Sequence, residues 1–218
     1  MSGLGLIFDL DGVIVDSNPV HTVSWRVYLR RCGMEPPENF ERRMYGLRND
    51  DIVRDLFGAG LDPAEVSRHG SDKEALYREL MRPVLHEHLV PGLVSFLERH
   101  REVPMAVATN GERANAEFVL EGGEVRRYFR VVVDGGQVSR PKPDPEIYLR
   151  AAELLGMPPA DCIVFEDSVA GVEAARAAGT RVVALTTTHK QFESVELKIQ
   201  DFLDAELEPW LSRQRPVT

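Results

Sequence analysis

The stretch Ile7-Phe8-Asp9-Leu10-Asp11-Gly12-Val13-Ile14-Val15-Asp16 decides how the rest of the chain is read. An apolar run of strand length, residues 4–10, leads straight into two carboxylates, Asp9 and Asp11, spaced i, i+2. In a strand that spacing sends both side chains to one face, and open α/β sheets bind ligands beyond the carboxyl ends of their strands. Gly12 lets the chain turn sharply and bring backbone N–H groups close to a ligand. Two carboxylates so close push each other's pKa values apart. One that stays ionised can attack phosphorus; one kept protonated can donate to a leaving oxygen and later activate water. The alternative is a turn carrying surface acids. A calcium loop of the EF-hand type is excluded, because glycine stands at its fourth position and a strand precedes it.

Working outward, residues 105–109, 131–133, 162–165 and 181–185 are further short apolar runs rich in Val, Ile and Phe, flanked by Gly, Pro, Asp or Asn. Such runs are what strands buried on both faces require. Helical patterns lie between them. Ile147, Ala151, Leu154 and Leu155 follow a helical period that Gly156 stops, and Ser168 can cap a helix carrying Val169 and Val172 and closed by Gly179. Alternating strands and helices predict an α/β fold with a doubly wound parallel sheet. The rhythm breaks once. A crossover needs roughly a dozen residues, yet the stretch from Leu10 to Met105 is several times longer and reads mostly as helix. Val20, Val23 and Val27 share a helical face, and residues 73–81 are strong helix formers. Ser17-Asn18-Pro19 and Val90-Pro91-Gly92 mark the ends of this stretch. The expected organisation is a core of residues 1–16 and 92–218 with a helical cap, residues 17–91, inserted between the first two strands.

Other strand ends also carry chemistry. The second runs into Thr109-Asn110-Gly111, where a hydroxyl and backbone N–H groups ahead of a helix suit phosphate oxygens; ordinary turn chemistry is the alternative. Ser139-Arg140-Pro141-Lys142-Pro143 holds Lys142 between prolines that restrict its backbone, as suits a fixed point charge for phosphate. The alternative is a solvated lysine in a proline-rich loop. The fourth strand ends in Glu166-Asp167-Ser168, a second acidic pair whose hard oxygens suit Mg²⁺, or else simple N-cap acids of the next helix.

Asp9-x-Asp11, Thr109, Lys142 and Glu166-Asp167, in that order and at strand ends, resemble the four motifs of the haloacid dehalogenase superfamily across nearly the whole chain. The resemblance implies Asp9 as nucleophile, Asp11 as general acid/base, and Thr109 and Lys142 on the phosphoryl group. It further implies Mg²⁺ held by Asp9, the Asp11 carbonyl and Asp167, with Glu166 nearby. Dehalogenating members lack the second aspartate, so a phosphatase is the leading expectation and a β-phosphoglucomutase-like isomerase the alternative. The insertion resembles the helical cap of those mutases and of small sugar-phosphate phosphatases. Asp16 to His21 and Trp25 look like the mutase hinge, whose histidine couples cap closure to the acid/base, and Lys73-x-x-x-Tyr77 looks like the helix whose lysine reaches the active site. Exposed or solvated positions for His21 and Lys73 are the alternatives. In the cap loop the mutase pattern is Gly, an apolar residue, Ser and then Arg for a distal phosphate. This chain reads Gly46-Leu47-Arg48-Asn49. Gly46 and Arg48, together with Asn110, His21 and Lys73, are the expected substrate contacts.

Composition narrows the partners. Apolar residues at 43% and charged residues at 28% fit an ordinary globular chain. The formal charge of −9 argues against nucleic acid or an anionic membrane, so attraction of a small phosphorylated metabolite must be local. No apolar run spans a bilayer, and the N-terminus lacks a basic leader, which together lead us to expect a cytoplasmic protein; no protein partner is implied. Cys32 and Cys162 lack metal-site spacing, and Cys162 in an apolar run reads as a small buried hydrophobe.

Overall fold

The structure is a computed structural model, and residues 3–38, 40 and 49–214 are described. Strands β1 (Gly5–Phe8), β2 (Met105–Ala108), β3 (Val131–Val133), β4 (Cys162–Glu166), β5 (Arg181–Leu185) and β6 (Leu197–Ile199) form one sheet in the order β3-β2-β1-β4-β5-β6. Every neighbouring pair is parallel. Helices α1 (Asn18–Arg31), α2 (Asn49–Phe57), α3 (Pro63–Met81) and α4 (Leu85–His88) separate β1 from β2 together with α5 (Leu93–Arg99). Helices α6 (Arg113–Gly122), α7 (Glu146–Leu155), α8 (Val169–Ala177) and α9 (Leu207–Gln214) complete the doubly wound α/β arrangement.

The strands form where both faces can be buried. Alternation along β1 sends Ile7 into an aliphatic layer with Ala106, Val164, Ile147 and Ala151, and Phe8 to the other face. There Phe8 stacks on Phe165 with ring centroids 4.7 Å apart and meets Phe129 edge-on at 5.6 Å. Such ring pairs add about 0.5–1.5 kcal/mol each beyond the area they bury. Strand β6 escapes the sequence reading because it is three residues long with Lys198 exposed. In α7 the buried residues are Ile147, Tyr148, Ala151 and Ala152, while Leu154 is exposed. Gly156 ends that helix in the left-handed region at φ 69°.

By packing, the chain divides into two compact units, Met1–Asp16 with His86–Thr218, and Ser17–Leu85. The sequence pattern extends the insertion to residue 91; by packing, residues 86–91 group with the larger unit. The cause is local pairing, since Asp16 N–H donates to the His88 carbonyl at 2.8 Å and Val90 N–H to that of Ile14 at 3.1 Å.

The smaller unit packs Trp25, Tyr28, Phe40, Ile52, Val53, Val66 and Leu76 into its own core. The buried stripe of α1 passes through Thr22, Ser24, Trp25, Tyr28 and Leu29, so Val23 is exposed although Val20 is buried. Thr22 and Ser24 tolerate that burial because their hydroxyls donate to the carbonyls of Asn18 and His21. Helix α3 starts on a capping box. The Asp62 carboxylate accepts from Glu65 N–H at 2.8 Å and Asp62 N–H donates to Glu65 Oε2 at 3.2 Å.

Candidate active site

The register of the sheet brings the acidic motifs together. Phe8 pairs with Phe165, and Asp9 N–H continues the ladder to the Phe165 carbonyl at 3.0 Å. Asp9 therefore sits beside Glu166, with Asp167 one residue on. Ligand oxygens of Asp9, Glu166 and Asp167 all lie within 4.8 Å of one another, and the three residues are buried. On the other side of β1, Thr109 N–H donates to the Val133 carbonyl at 3.0 Å, which fixes Thr109 at the end of β2. Its Oγ1 accepts from Gly111 N–H at 3.0 Å.

Lys142 is buried rather than solvated, and its ammonium bridges the two acidic strand ends. Nζ lies 2.9 Å from Asp9 Oδ1 and 2.7 Å from Glu166 Oε1, and 4.8 Å from the centre of the Tyr148 ring. Asn110 Oδ1 accepts the Lys142 backbone N–H at 3.2 Å. Asn110, an expected substrate contact, thus ties the lysine loop to the end of β2. The Lys142–Pro143 peptide bond is cis.

Glu166 is the most engaged carboxylate. Oε1 accepts from Lys142 and, at 2.9 Å, from Tyr148 Oη; Oε2 accepts from the N–H groups of Asp167 and Ser168 and from Ser168 Oγ. Gly171 makes room for it, since a Cβ there would overlap the carboxylate. Burial alone would lift its pKa, but the Lys142 ammonium and these donors hold it below the usual carboxylate range. Asp9 behaves oppositely. Its burial outweighs Lys142, and with Glu166 and Asp11 adding repulsion the carboxyl is pushed up to about 7. Burial, then Glu166 and Asp9, likewise raise Asp167 well above the ordinary range. Burial opposes the charge on Lys142 too, but Asp9 and Glu166 keep it protonated.

Asp11 lies on the loop after β1, which is drawn tight where Gly12 N–H meets the Val15 carbonyl at 2.7 Å. Gly12 has φ +73°, and a Cβ there would overlap Asp167 Oδ2; glycine is required for both reasons. A Cβ built at Gly111 would lie 3.8 Å from Asp11 Oδ2, so the acid/base candidate borders the Thr109 loop.

Three residues that touch this centre escape the sequence reading. Tyr148 looks like any aromatic of an amphipathic helix, six residues after Lys142. Thr187 and Thr188 follow β5 in a run of hydroxyls, Thr186-Thr187-Thr188, whose place at a strand end was the available signal. Thr188 Oγ1 donates to Asp167 Oδ2, and Thr187 Oγ1 to the Gly12 carbonyl at 2.6 Å.

The remaining expected substrate contacts belong to the insertion. Gly46 and Arg48 lie outside the described residues. Within the smaller unit Lys73 is only 2% exposed, which removes the solvated alternative. Its Nζ donates to Glu74 Oε1 at 2.7 Å and lies 2.9 Å from His21 Nδ1, while His21 stacks on Tyr77 with centroids 3.8 Å apart. Asn49 Nδ2 donates to the same Glu74 oxygen at 2.5 Å. Glu74 is held down to about 2: burial would raise it, but the Lys73 charge wins. Cys162 is buried and free, and burial pushes its thiol up to about 11. Among the described residues no helix is long and apolar enough to cross a membrane.

Comparison with known proteins adds a lineage. The family model described as haloacid dehalogenase-like hydrolase matches residues 5–179. A fructose-1-phosphate phosphatase of Escherichia coli (strain K12) is 37% identical over 182 residues, covering 82% of this chain and 94% of the relative. The chloroplastic 5-amino-6-(5-phospho-D-ribitylamino)uracil phosphatase of Arabidopsis thaliana is 32% identical over 87% of this chain, and the match spans 52%, about half, of that relative's length. In fold, the crystal structure of a β-phosphoglucomutase from Clostridium difficile superposes with TM-score 0.82 at 24% identity, covering 97% of each chain.

Proposed function

This chain belongs to the haloacid dehalogenase-like hydrolase family, and from that premise we propose that it is a Mg²⁺-dependent phosphohydrolase of small phosphorylated metabolites, sugar phosphates first among them. The observation that carries the reading is the Lys142 ammonium, buried 2.9 Å from Asp9 Oδ1 at the mouth of the sheet with Thr109 on the adjacent strand end. A phosphoryl group set against Thr109 and Lys142 faces the Asp9 carboxylate in line with its ester bond. An Asp9 oxygen attacks phosphorus, the ester P–O bond breaks, and Asp11 gives its proton to the leaving alkoxide. Asp11, now ionised, takes a proton from water as that water attacks the aspartyl-phosphate. Inorganic phosphate departs and Asp9 is restored.

The donor set fits a hard divalent cation. Asp9 and Asp167 are carboxylates whose pKa values are raised by burial and by the neighbouring acids, and Asp9 Oδ1, though paired with the Lys142 ammonium at 2.9 Å, is buried with no hydrogen bond of good geometry. Asp9 and Asp167 would hold Mg²⁺, with the Asp11 carbonyl as the family resemblance suggests. When bound it supplies charge that keeps both carboxylates ionised and offsets that of the phosphate. Glu166, with both oxygens already engaged, acts by holding Lys142.

A mutase uses the same core chemistry, so the insertion must distinguish the two. Where the mutase pattern has an arginine for a second phosphate, this chain has Asn49, and its amide is engaged by Glu74. That favours a monoester phosphatase. Phosphate release from a panel of sugar phosphates with Mg²⁺, run beside a β-glucose 1-phosphate isomerisation assay, tests the reading. We expect release, abolished by EDTA and restored by Mg²⁺. Isomerisation without release would replace it with the mutase, and full activity after exhaustive EDTA treatment would remove the metal.

A further inference from the structure

The bend after β5 reaches the proposed metal site from outside the four motifs. Strand order β1-β4-β5 places β5 one strand beyond β4, so its end does not border Asp9. Even so, two consecutive hydroxyls of this bend make bonds to the two elements nearest the acidic pair. Thr187 Oγ1 donates to the Gly12 carbonyl at 2.6 Å, on the loop that carries Asp11, and is 3.5 Å from Asp167 Oδ2. Thr188 Oγ1 donates to Asp167 Oδ2 itself. The β1 loop and Asp167 are already in close contact, because a Cβ at Gly12 would overlap that same oxygen. The bend is therefore a strap across β4 that fixes the Asp167 carboxylate against the Asp11–Gly12 loop.

Resting on the metal-dependent reading above, we propose that Thr188 is a positioning residue that sets the affinity of the site for its divalent cation. A carboxylate turns readily about its Cβ–Cγ bond, and one that must meet a cation in a fixed octahedral shell gains affinity when its rotation is fixed beforehand. A hydroxyl donating to one oxygen of Asp167 fixes that rotation without adding charge. Thr187 holds the other side of the gap by pinning the loop at Gly12. Hydrogen-bond partners of metal-ligating groups typically change affinity about ten- to hundredfold when removed.

The test is isothermal titration of Mg²⁺ alone into EDTA-stripped, dialysed protein, so that no turnover enters the readout. Thr188→Val keeps the shape and loses the hydroxyl. It is expected to raise the Mg²⁺ dissociation constant about tenfold or more, while its melting temperature in EDTA matches that of the unaltered protein. Thr188→Ser, which restores the donor, should return the affinity to within about threefold. Thr188→Val binding Mg²⁺ as well as the unaltered protein overturns the inference, as does a serine variant no better than valine. A weakening that tracks a lowered melting temperature in EDTA overturns it too, in favour of a packing defect. If the unaltered protein itself binds no Mg²⁺, the metal-dependent reading falls and takes this inference with it.

Discussion

Replacing Lys142 with methionine isolates what the buried ammonium does for the fold. Nζ is shared between Asp9 Oδ1 at 2.9 Å and Glu166 Oε1 at 2.7 Å, and Glu166 is fully buried. Methionine fills much of the same volume, so the loss is chiefly electrostatic. Removing one partner of a buried ion pair costs about 3–5 kcal/mol, because the other charge is left uncompensated. For a protein of this size each kcal/mol shifts the melting point by roughly 2–4 °C, which gives a fall of roughly 6–20 °C. The deficit should depend on pH. In the unaltered protein the folded-state pKa of Glu166 is lowered, so its contribution is fully present above its unfolded value and lost only in acid. Without Lys142, burial raises that pKa, and the folded state becomes costlier as pH climbs past the unfolded value of about 4.3. Thermal melts of both proteins in EDTA should therefore diverge from pH 4 to pH 8. The double variant Lys142→Met/Glu166→Gln should recover much of the loss while remaining inactive. A deficit under about 1 kcal/mol, or one that stays constant across this pH range, would refute the claim that Lys142 neutralises Glu166 in the fold.

Two further outcomes follow from the same electrostatics. Asp9→Asn should lower turnover at least about a hundredfold, near 3 kcal/mol of barrier, as read by phosphate release. In EDTA it should also melt above the unaltered protein at pH 8 but not at pH 4, because a carboxyl raised from 3.8 to about 7 costs stability as pH rises between those two values and carries the full cost above the higher one; equal melting at both would contradict the burial of a charged Asp9. In the smaller unit the depressed Glu74 contributes stability that is present above its unfolded pKa and fades as pH falls toward about 2. Glu74→Gln should thus speed hydrogen exchange in α1 and α3 strongly at pH 7 and much less near pH 3, and a pH-independent difference would refute it.

The fold was legible because β1 to β5 are short apolar runs buried on both faces, a pattern few other structures produce. Legibility failed where burial is partial. Lys198 faces solvent in the three-residue β6, and Val23 lies off a stripe set by Trp25 and Tyr28. The acids of the site were readable because each ends a strand, and strand neighbours bring strand ends together. Their supporting partners were not. Tyr148 meets Glu166 from a helix, and Thr188 meets Asp167 from a bend one strand away; no local spacing encodes either contact. The packing boundary near residue 85 differs from the one the sequence suggests for a related reason. Pro91-Gly92 looks like a hinge in sequence, but backbone bonds from residues 88 and 90 to 16 and 14 bind that segment to the core.

A chain with formal charge −9 that binds a phosphate must overcome its own field, and the site makes the difficulty sharper. Asp9, Asp11, Glu166 and Asp167 set four carboxylates against one ammonium, Lys142, a formal balance of −3 with all ionised. Lys142 is already in contact with two of the four, so it has little attraction left for a dianion. In the proposed mechanism a divalent cation changes the balance to −1, keeps Asp167 ionised as a ligand and returns Asp9 to the ionised state that its attack on phosphorus requires. Under the proposed reading, cation and phosphate each reduce the electrostatic cost of binding the other. By linkage the two affinities must then rise together, so phosphate should tighten the Mg²⁺ affinity by the same factor as Mg²⁺ tightens that of phosphate.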